Sequence, residues 1–298
     1  MFENVTHRTA QDDAYHEMEG WSVSQWKKLP HDPESFYGYH VATPPTWIFE
    51  PTPQMELGTN IHSVLLEKKP FSCPPMDVLS KSGSRAGGNW NQYKDSHTPL
   101  ECLSQKEARV IRDIVQQARN DPKIVWLLDA PGEIEYSLFG THTETGLPVR
   151  GRLDKWIEHD GSRFILDVKT ISADPTNERL VGQQCLALGY HWQAAAYLDL
   201  MRGHGKPSDG FFFLFVKTSP PHTACLWVLN DNDIELGQRR NRIALLDLAN
   251  RLKSGDWTGP RHGEVNYLTY PKWAYDDQTH IDEPGTPEEF AAYAGEAT

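Results

Sequence analysis

The chain has 298 residues, of which 38% are hydrophobic and 23% charged, with ten Trp; that mixture supplies a packed core and excludes a wholly disordered chain. Its formal net charge is −12, but residues 1–20 hold five acids against Arg8 and residues 272–298 hold seven against Lys272, so the middle is nearly neutral and charge neither supports nor excludes a nucleic-acid partner. No apolar run approaches the roughly 20 residues needed to cross a bilayer, and no G-x-x-x-x-G-K-[ST] is present, which argues against a membrane span and an ATP-driven motor.

In chain order, WSVSQWKKLPHDPESFYGYH predicts a short amphipathic helix ended before Pro30 or Pro33, and ATPPTWIFEPTPQ an extended connector. A second helix is expected in MELGTNIHSVLLEKK. Residues 70–99 form a polar, Gly/Ser-rich loop that includes SKSGSRAGGNW. Ser104 and Glu107 make a capping-box pattern ahead of Ala108, Ile111, Ile114, Val115 and Ala118, which repeat at helical spacing until Asp121-Pro122. Three strands follow in GEIEYSLFGT, LPVRGRLDKWIE and RFILDVKT, with turns at Thr145-Gly146 and Asp160-Gly161. One long helix through GQQCLALGYHWQAAAYLDLMR then leads to strands FFFLFVK and HTACLWVL and a last amphipathic helix in DNDIELGQRRNRIALLDLANRLKSG. This order predicts an α/β protein of the α+β type, a mixed sheet with helices packed over it. The expected division is an acidic N-terminal extension over 1–20, one domain over 21–270, and an acidic tail over 271–298.

The absence of a basic and then apolar start makes a cytoplasmic protein the expectation. Cys73, Cys102, Cys185 and Cys225, with no C-x-x-C, fit reduced thiols better than disulfides or a zinc knuckle.

The stretch VRGRLDKWIEHDGSRFILDVKTISAD sets charged groups inside strand-like segments. Because strand side chains alternate, Asp167 and Lys169 share one face while Leu166 and Val168 share the other. Asp154 lies across the Asp160-Gly161 hairpin and pairing can bring it near Asp167. Glu133 and Glu135, on the strand before, share a face by the same rule. Carboxylates gathered this way raise one another's pKa unless a cation lies between them, and hard oxygen ligands favour Mg²⁺, with Mn²⁺ as a substitute. Lys169 can then orient or deprotonate a water, or stabilise a pentacovalent phosphate. A D-x-K alone is more often a cross-strand ion pair; the upstream acid and the apolar surroundings favour the site. His62 falls on a helix whose Ile61, Val64 and Leu65 suit a core, and Gly58 allows close packing near its start. Gln193 and Tyr197 are one helical turn apart, with Ala194, Ala195 and Ala196 leaving room for close approach.

Taken together, G-x-x-x-H (Gly58, His62), an upstream Glu, G-R-x-D (Gly151, Arg152, Asp154), D-x-K-T (Asp167, Lys169, Thr170) and Q-x-x-x-Y (Gln193, Tyr197) resemble, in that order, the PD-(D/E)xK nucleases of the RecB and lambda-exonuclease type. More closely, LGTNIHSVLLE, SKSGSRAGGNW, ETGLPVRGRLDKW and GYHWQAAAYLD are similar to the exonuclease VIII (RecE-type) nuclease domain of phages and prophages, over about Trp21 to Leu229. The proline of the motif's name is Leu153 here. The resemblance implies a metal-dependent exonuclease that degrades one strand of linear double-stranded DNA from the 5′ end in a bacterial host, leaves a 3′ single strand for an annealing recombinase, and works as a ring-like homo-oligomer. Asp154 and Asp167 would be the principal metal ligands, with the Val168 carbonyl, His62 and Glu135 as additions. Lys169 would act on the water, and Gln193 and Tyr197 would position the lysine, water or phosphate. Glu135 is chosen over Glu133 because the family's upstream glutamate stands at a similar distance before the T-G turn. Arg152 and Thr170 are carried as DNA-binding positions, and Lys81 and Arg85 as residues that could grip a 5′ phosphate or the displaced strand. No iron–sulfur cluster is expected, because the clustered cysteines of the relatives that hold one are missing. The rival readings are an endonuclease or single-strand-preferring nuclease on the same core, and a non-catalytic DNA-end or recombinase-binding module.

Overall fold

A computed structural model describes residues 1–8, 15, 17–260, 262–263, 265 and 268–269. The expected acidic tail over 271–298 lies outside the described residues. The chain divides into one unit over Met1–Trp257 and a second over Thr258–Thr298. Among the described residues, every strand and helix belongs to the first.

Seven strands form one sheet: β1 (Phe2–His7), β2 (Trp21–Ser22), β3 (Gly132–His142), β4 (Pro148–His159), β5 (Ser162–Ile171), β6 (Gly210–Lys217) and β7 (Ala224–Trp227). Their order is β1-β3-β4-β5-β6-β7, with the short β2 pairing parallel to β4. β3, β4 and β5 are the expected antiparallel meander. β6 runs parallel to β5, which requires the chain to return across the sheet between them. That return is helical, so the sheet is mixed and covered by helices, as the element order predicts.

The helices are α1 (Val23–Trp26), α2 (Pro33–His40), α3 (Pro53–Leu66), α4 (Gly88–Ser96), α5 (Gln105–Ala118), α6 (Pro122–Asp129), α7 (Glu178–Leu188), α8 (Tyr190–Gly203) and α9 (Asp231–Ser254). The sheet separates two apolar clusters. On one face Ile165, Phe211, Phe213 and Phe215 meet Trp26, Leu200 and Leu248 of α1, α8 and α9. On the other, Leu166, Val168, Leu214 and Val216 meet Ile61, Ile111 and Leu127 of α3, α5 and α6. Period-two alternation along β5 and β6 thus feeds both layers at once.

Several expectations are corrected. Phe2–His7, read as part of an acidic extension, is the edge strand of the sheet: Phe2 and Val5 are buried, and β1 pairs antiparallel with β3. Phe2 and Val5, brought into the same core cluster across the register shift between Glu3 and Thr6, outweigh the local charge of Glu3. Asp121-Pro122 ends α5 but also starts α6, because Asp121 accepts from the Lys123 amide and proline suits the first helical turn. The short helix expected in WSVSQWKKLPHDPESFYGYH, ended before Pro30 or Pro33, is instead β2 and α1, and a second helix, α2, follows with Pro33 opening it and Asp32 capping it. The long helix over 182–202 is two, broken at Gly189, whose φ of 67° is left-handed and costs glycine nothing. Within the polar loop, Gly88–Ser96 is a helix with Trp90 buried.

Candidate active site

The site sits where the sheet is parted. β4 and β5 pair regularly from His159↔Ser162 to Lys155↔Leu166, and there the ladder stops. Beyond it the Asp154 carboxylate takes the place of a strand partner and accepts the Val168 amide at 2.7 Å. Asp167 comes from the facing strand and is wholly buried. Lys169, two residues on, turns to the same side and its ammonium contacts Asp167 Oδ2. Gln193, on the first turns of α8, donates to Asp167 Oδ1 at 2.7 Å.

Opposite Asp154, β3 contributes Glu135, whose φ of 56° breaks the strand alternation. Glu133 and Glu135 therefore do not share a face as strict alternation requires. Glu133 faces Trp156 across the ladder and its carboxylate meets His7 at 3.6 Å, 57% exposed. Glu135 lies 3.5 Å from His62 Nδ1 and 2.5 Å from Arg152 Nε. His62 projects from α3, whose Ile61 and Leu65 anchor it in the core, and its Nε2 stands 3.1 Å from Asp154 Oδ2. One imidazole thus bridges the acids of two strands.

These groups set one another's protonation. Burial and the neighbouring Asp154 push Asp167 up to about 7, against the pull of Lys169. Burial raises Asp154 too, but His62, Lys169 and the Val168 amide outweigh it and hold the carboxyl low, at about 2. Burial lowers His62, yet Asp154 and Glu135 prevail and lift it to about 9. Burial also opposes the charge on Lys169, and Asp167 with Asp154 overcomes it, so the ammonium is held above its ordinary range. All four shifts follow from charges packed together away from water.

The donor set, three carboxylates and an imidazole with a backbone carbonyl near them, fits a hard divalent cation in kind. Among the described residues no three such side chains stand already gathered as ligands. Their atoms are engaged with each other, and Asp167 Oδ2, beside the lysine, makes no well-directed hydrogen bond. A cation among them would relieve the mutual repulsion that raises Asp167.

The remaining expected residues distribute unevenly. Tyr197 lines the cleft and packs over Gly151, where a Cβ would stand 3.0 Å from its Cε1 and 2.6 Å from Leu200 Cδ1. The glycine of G-R-x-D therefore lets α8 approach β4. Arg152 reaches Glu135 rather than open solvent. Thr170 faces α3, its Oγ1 3.5 Å from where a Cβ on Gly58 would be, which is ordinary contact, so Gly58 is not required for close packing. Lys81 is exposed. Arg85 is bound to Glu107 at 3.0 Å and to the Cys102 carbonyl, and neither it nor Lys81 lines the cleft of the acids.

Three residues of the site were not anticipated. The Tyr15 ring lies 5.0 Å from the Arg150 and 4.6 Å from the Arg152 guanidinium, which no local spacing signals. Lys27 donates to the Leu188 carbonyl at 2.7 Å, and burial with Lys169 and Lys28 nearby pushes it down to about 8. Lys28 lines the cleft itself, which measures 940 Å³ and is also lined by His62, Glu135, Asp154 and Tyr197.

A mixed sheet parted at its centre by two strand-borne acids, with a lysine two residues after the second, defines a nuclease core of the PD-(D/E)xK class. The chain belongs to the PD-(D/E)XK nuclease superfamily, whose family model matches residues 20–292. Members of that superfamily generally use divalent metal ions. A solved structure of a candidate exonuclease from Eubacterium rectale is similar at 17% identity and a TM-score of 0.59, over 92% of this chain and 100% of that one, and shares the fold. A phage-related exonuclease from Haemophilus somnus 129PT matches over 81% of this chain and 99% of its own, at 11% identity and a TM-score of 0.34, too distant to support an argument. No curated protein matches. Among the described residues no helix is long and apolar enough to cross a membrane.

Proposed function

We propose that the protein is a Mg²⁺-dependent exonuclease acting on linear double-stranded DNA, from the 5′ end, leaving a 3′ single strand that an annealing recombinase takes up. The observation that carries this reading is the meeting of Asp154, Asp167 and Lys169 where the β4–β5 ladder stops, with Asp154 lining an open cleft and Asp167 buried behind it. An ion pair serving stability alone needs neither a second acid nor a break in the strand ladder beside a cleft.

In this reading Asp154 and Asp167 hold the cation, aided by the Val168 carbonyl, Glu135 and His62. When bound, it supplies Lewis acidity and charge neutralisation at the scissile phosphate. Gln193 fixes one oxygen of Asp167, which leaves the other directed toward Lys169. Lys169 orients the attacking water in line with the leaving oxygen and offers positive charge to the phosphate. Arg152 clamps Glu135 and so sets its reach, while Tyr197 forms the wall beside Gly151. A ring of identical subunits round the duplex would keep the enzyme on one strand, which gives processivity.

The test uses linear duplexes labelled at the 5′ or the 3′ end, and a covalently closed circle, with Mg²⁺, with Mn²⁺ and with chelator. Early release of the 5′ label, metal dependence, an intact circle and loss of cleavage in Lys169→Ala are expected. Cutting of the circle would transfer the protein to the endonucleases, and early release of the 3′ label would reverse the polarity. Sedimentation gives the subunit number.

A further inference from the structure

The approach to the cleft carries aromatic side chains that the reaction does not use. Tyr39, Trp47 and Phe49 are 40%, 45% and 53% exposed, on the end of α2 and the connector after it. Single apolar side chains on a surface are ordinary, whereas aromatics grouped at the mouth of a cleft mark a place where something binds. Three details show that these rings are held in position. Trp47 rests on Gly38: a Cβ there would stand 2.0 Å from Trp47 Cζ3, and the Thr46 amide donates to the Gly38 carbonyl at 2.9 Å. Tyr39 lies against the same indole, with centroids 5.6 Å apart. Phe49 has the Lys28 ammonium over its ring at 5.6 Å. Tyr39, Phe49 and Lys28 line the cleft that Asp154 and Glu135 also line, so these two rings and the acids open into one space, and Trp47 adjoins it through its contact with Tyr39.

Ring faces next to an ammonium suit unpaired nucleotides, whose bases stack on the rings while the backbone phosphate meets the cation. Bases inside a duplex have no face to offer. We infer that Tyr39, Trp47 and Phe49, with Lys28, form a stacking platform for a single-stranded DNA segment at the mouth of the cleft. The inference rests on the nuclease reading for its continuity with the acids, but binding there requires neither metal nor cleavage.

The test is fluorescence anisotropy in chelator with a labelled single-stranded oligonucleotide, a blunt duplex and a duplex bearing a single-stranded tail. Trp47→Ala weakens binding of the single strand and the tailed duplex about tenfold and leaves the blunt duplex within about twofold, the size expected for losing one base stack. Trp47→Phe restores most of the loss, and Phe49→Ala, which truncates another exposed ring, repeats it. Equal loss on all three DNAs, or no loss on any, overturns the inference. So does a changed sedimentation coefficient in Trp47→Ala with DNA binding intact, which would assign the rings to contact between copies of the chain. Intact discrimination by Trp47 in a protein that cleaves no DNA with Mg²⁺ would sustain the platform and sink the nuclease reading.

Discussion

Asp167 and Lys169 hold each other in a place where either alone is unwelcome. Removing one partner of a buried pair leaves the other uncompensated, whereas removing both often restores stability. Lys169→Met should therefore lower unfolding free energy by about 3 kcal/mol, and adding Asp167→Asn should recover most of it while cleavage stays absent. Urea unfolding of the two singles and the double checks this, and additive losses would mean that the two groups act independently. His62 makes a second prediction. Its pKa is raised to about 9 against an ordinary value near 6.5, so the stability it contributes is complete below the ordinary value and is lost as pH rises through about 9. In chelator, the melting temperature of the parent should fall across that window more than that of His62→Gln. The D-x-K spacing, the G-R-x-D acid and the Gln193 turn were legible because strand and helix periods fix relative direction. Glu133 was not separable from Glu135 by that rule, because the left-handed backbone at Glu135 suspends the alternation on which it depends.

At the scale of elements, two glycines on helices carry opposite expectations. Gly237 of α9 lies on α8, and a Cβ there would stand 2.1 Å from the His191 carbonyl, so Gly237→Ala must push the helices apart and should destabilise by about 2 kcal/mol. Gly58 of α3 has ordinary room, so Gly58→Ala should stabilise by about 1 kcal/mol through helix propensity. Denaturant midpoints of both variants decide, and a loss at Gly58 would show that the motif glycine serves packing after all. The meander, the capping box at Ser104 and the terminal helix were readable from apolar period and turn chemistry. The break at Gly189 was not, since an apolar pattern continues on both sides and only the left-handed residue redirects the chain. That break starts α8 afresh and aims Gln193 into the sheet.

For the whole molecule, charge is the dominant fact about encounter with DNA. With a net charge of −12, the protein gains little long-range attraction to phosphate, so affinity must come from local contacts in the cleft. The plot of log affinity against log salt should be shallower than about −4, since each phosphate neutralised adds about −0.9. Residues 272–298 carry half of that net charge, seven acids against Lys272. Deleting them should speed association at low salt, with the difference shrinking as screening increases; stopped-flow binding measures it. Acidity also misled the reading of the first residues, where the apolar Phe2 and Val5, not the acids between and after them, decide that the segment joins the sheet.

The parting of β4 from β5 leaves one peptide group with an unusual keeper: the Val168 amide hydrogen is guarded by a side chain instead of a neighbouring strand. Its resonance and its rate of solvent exchange depend on the Asp154 carboxylate more than on the sheet. On the proposed reading, titrating magnesium should shift that single proton's resonance before any turnover, and an unmoved resonance would count against a cation at Asp154.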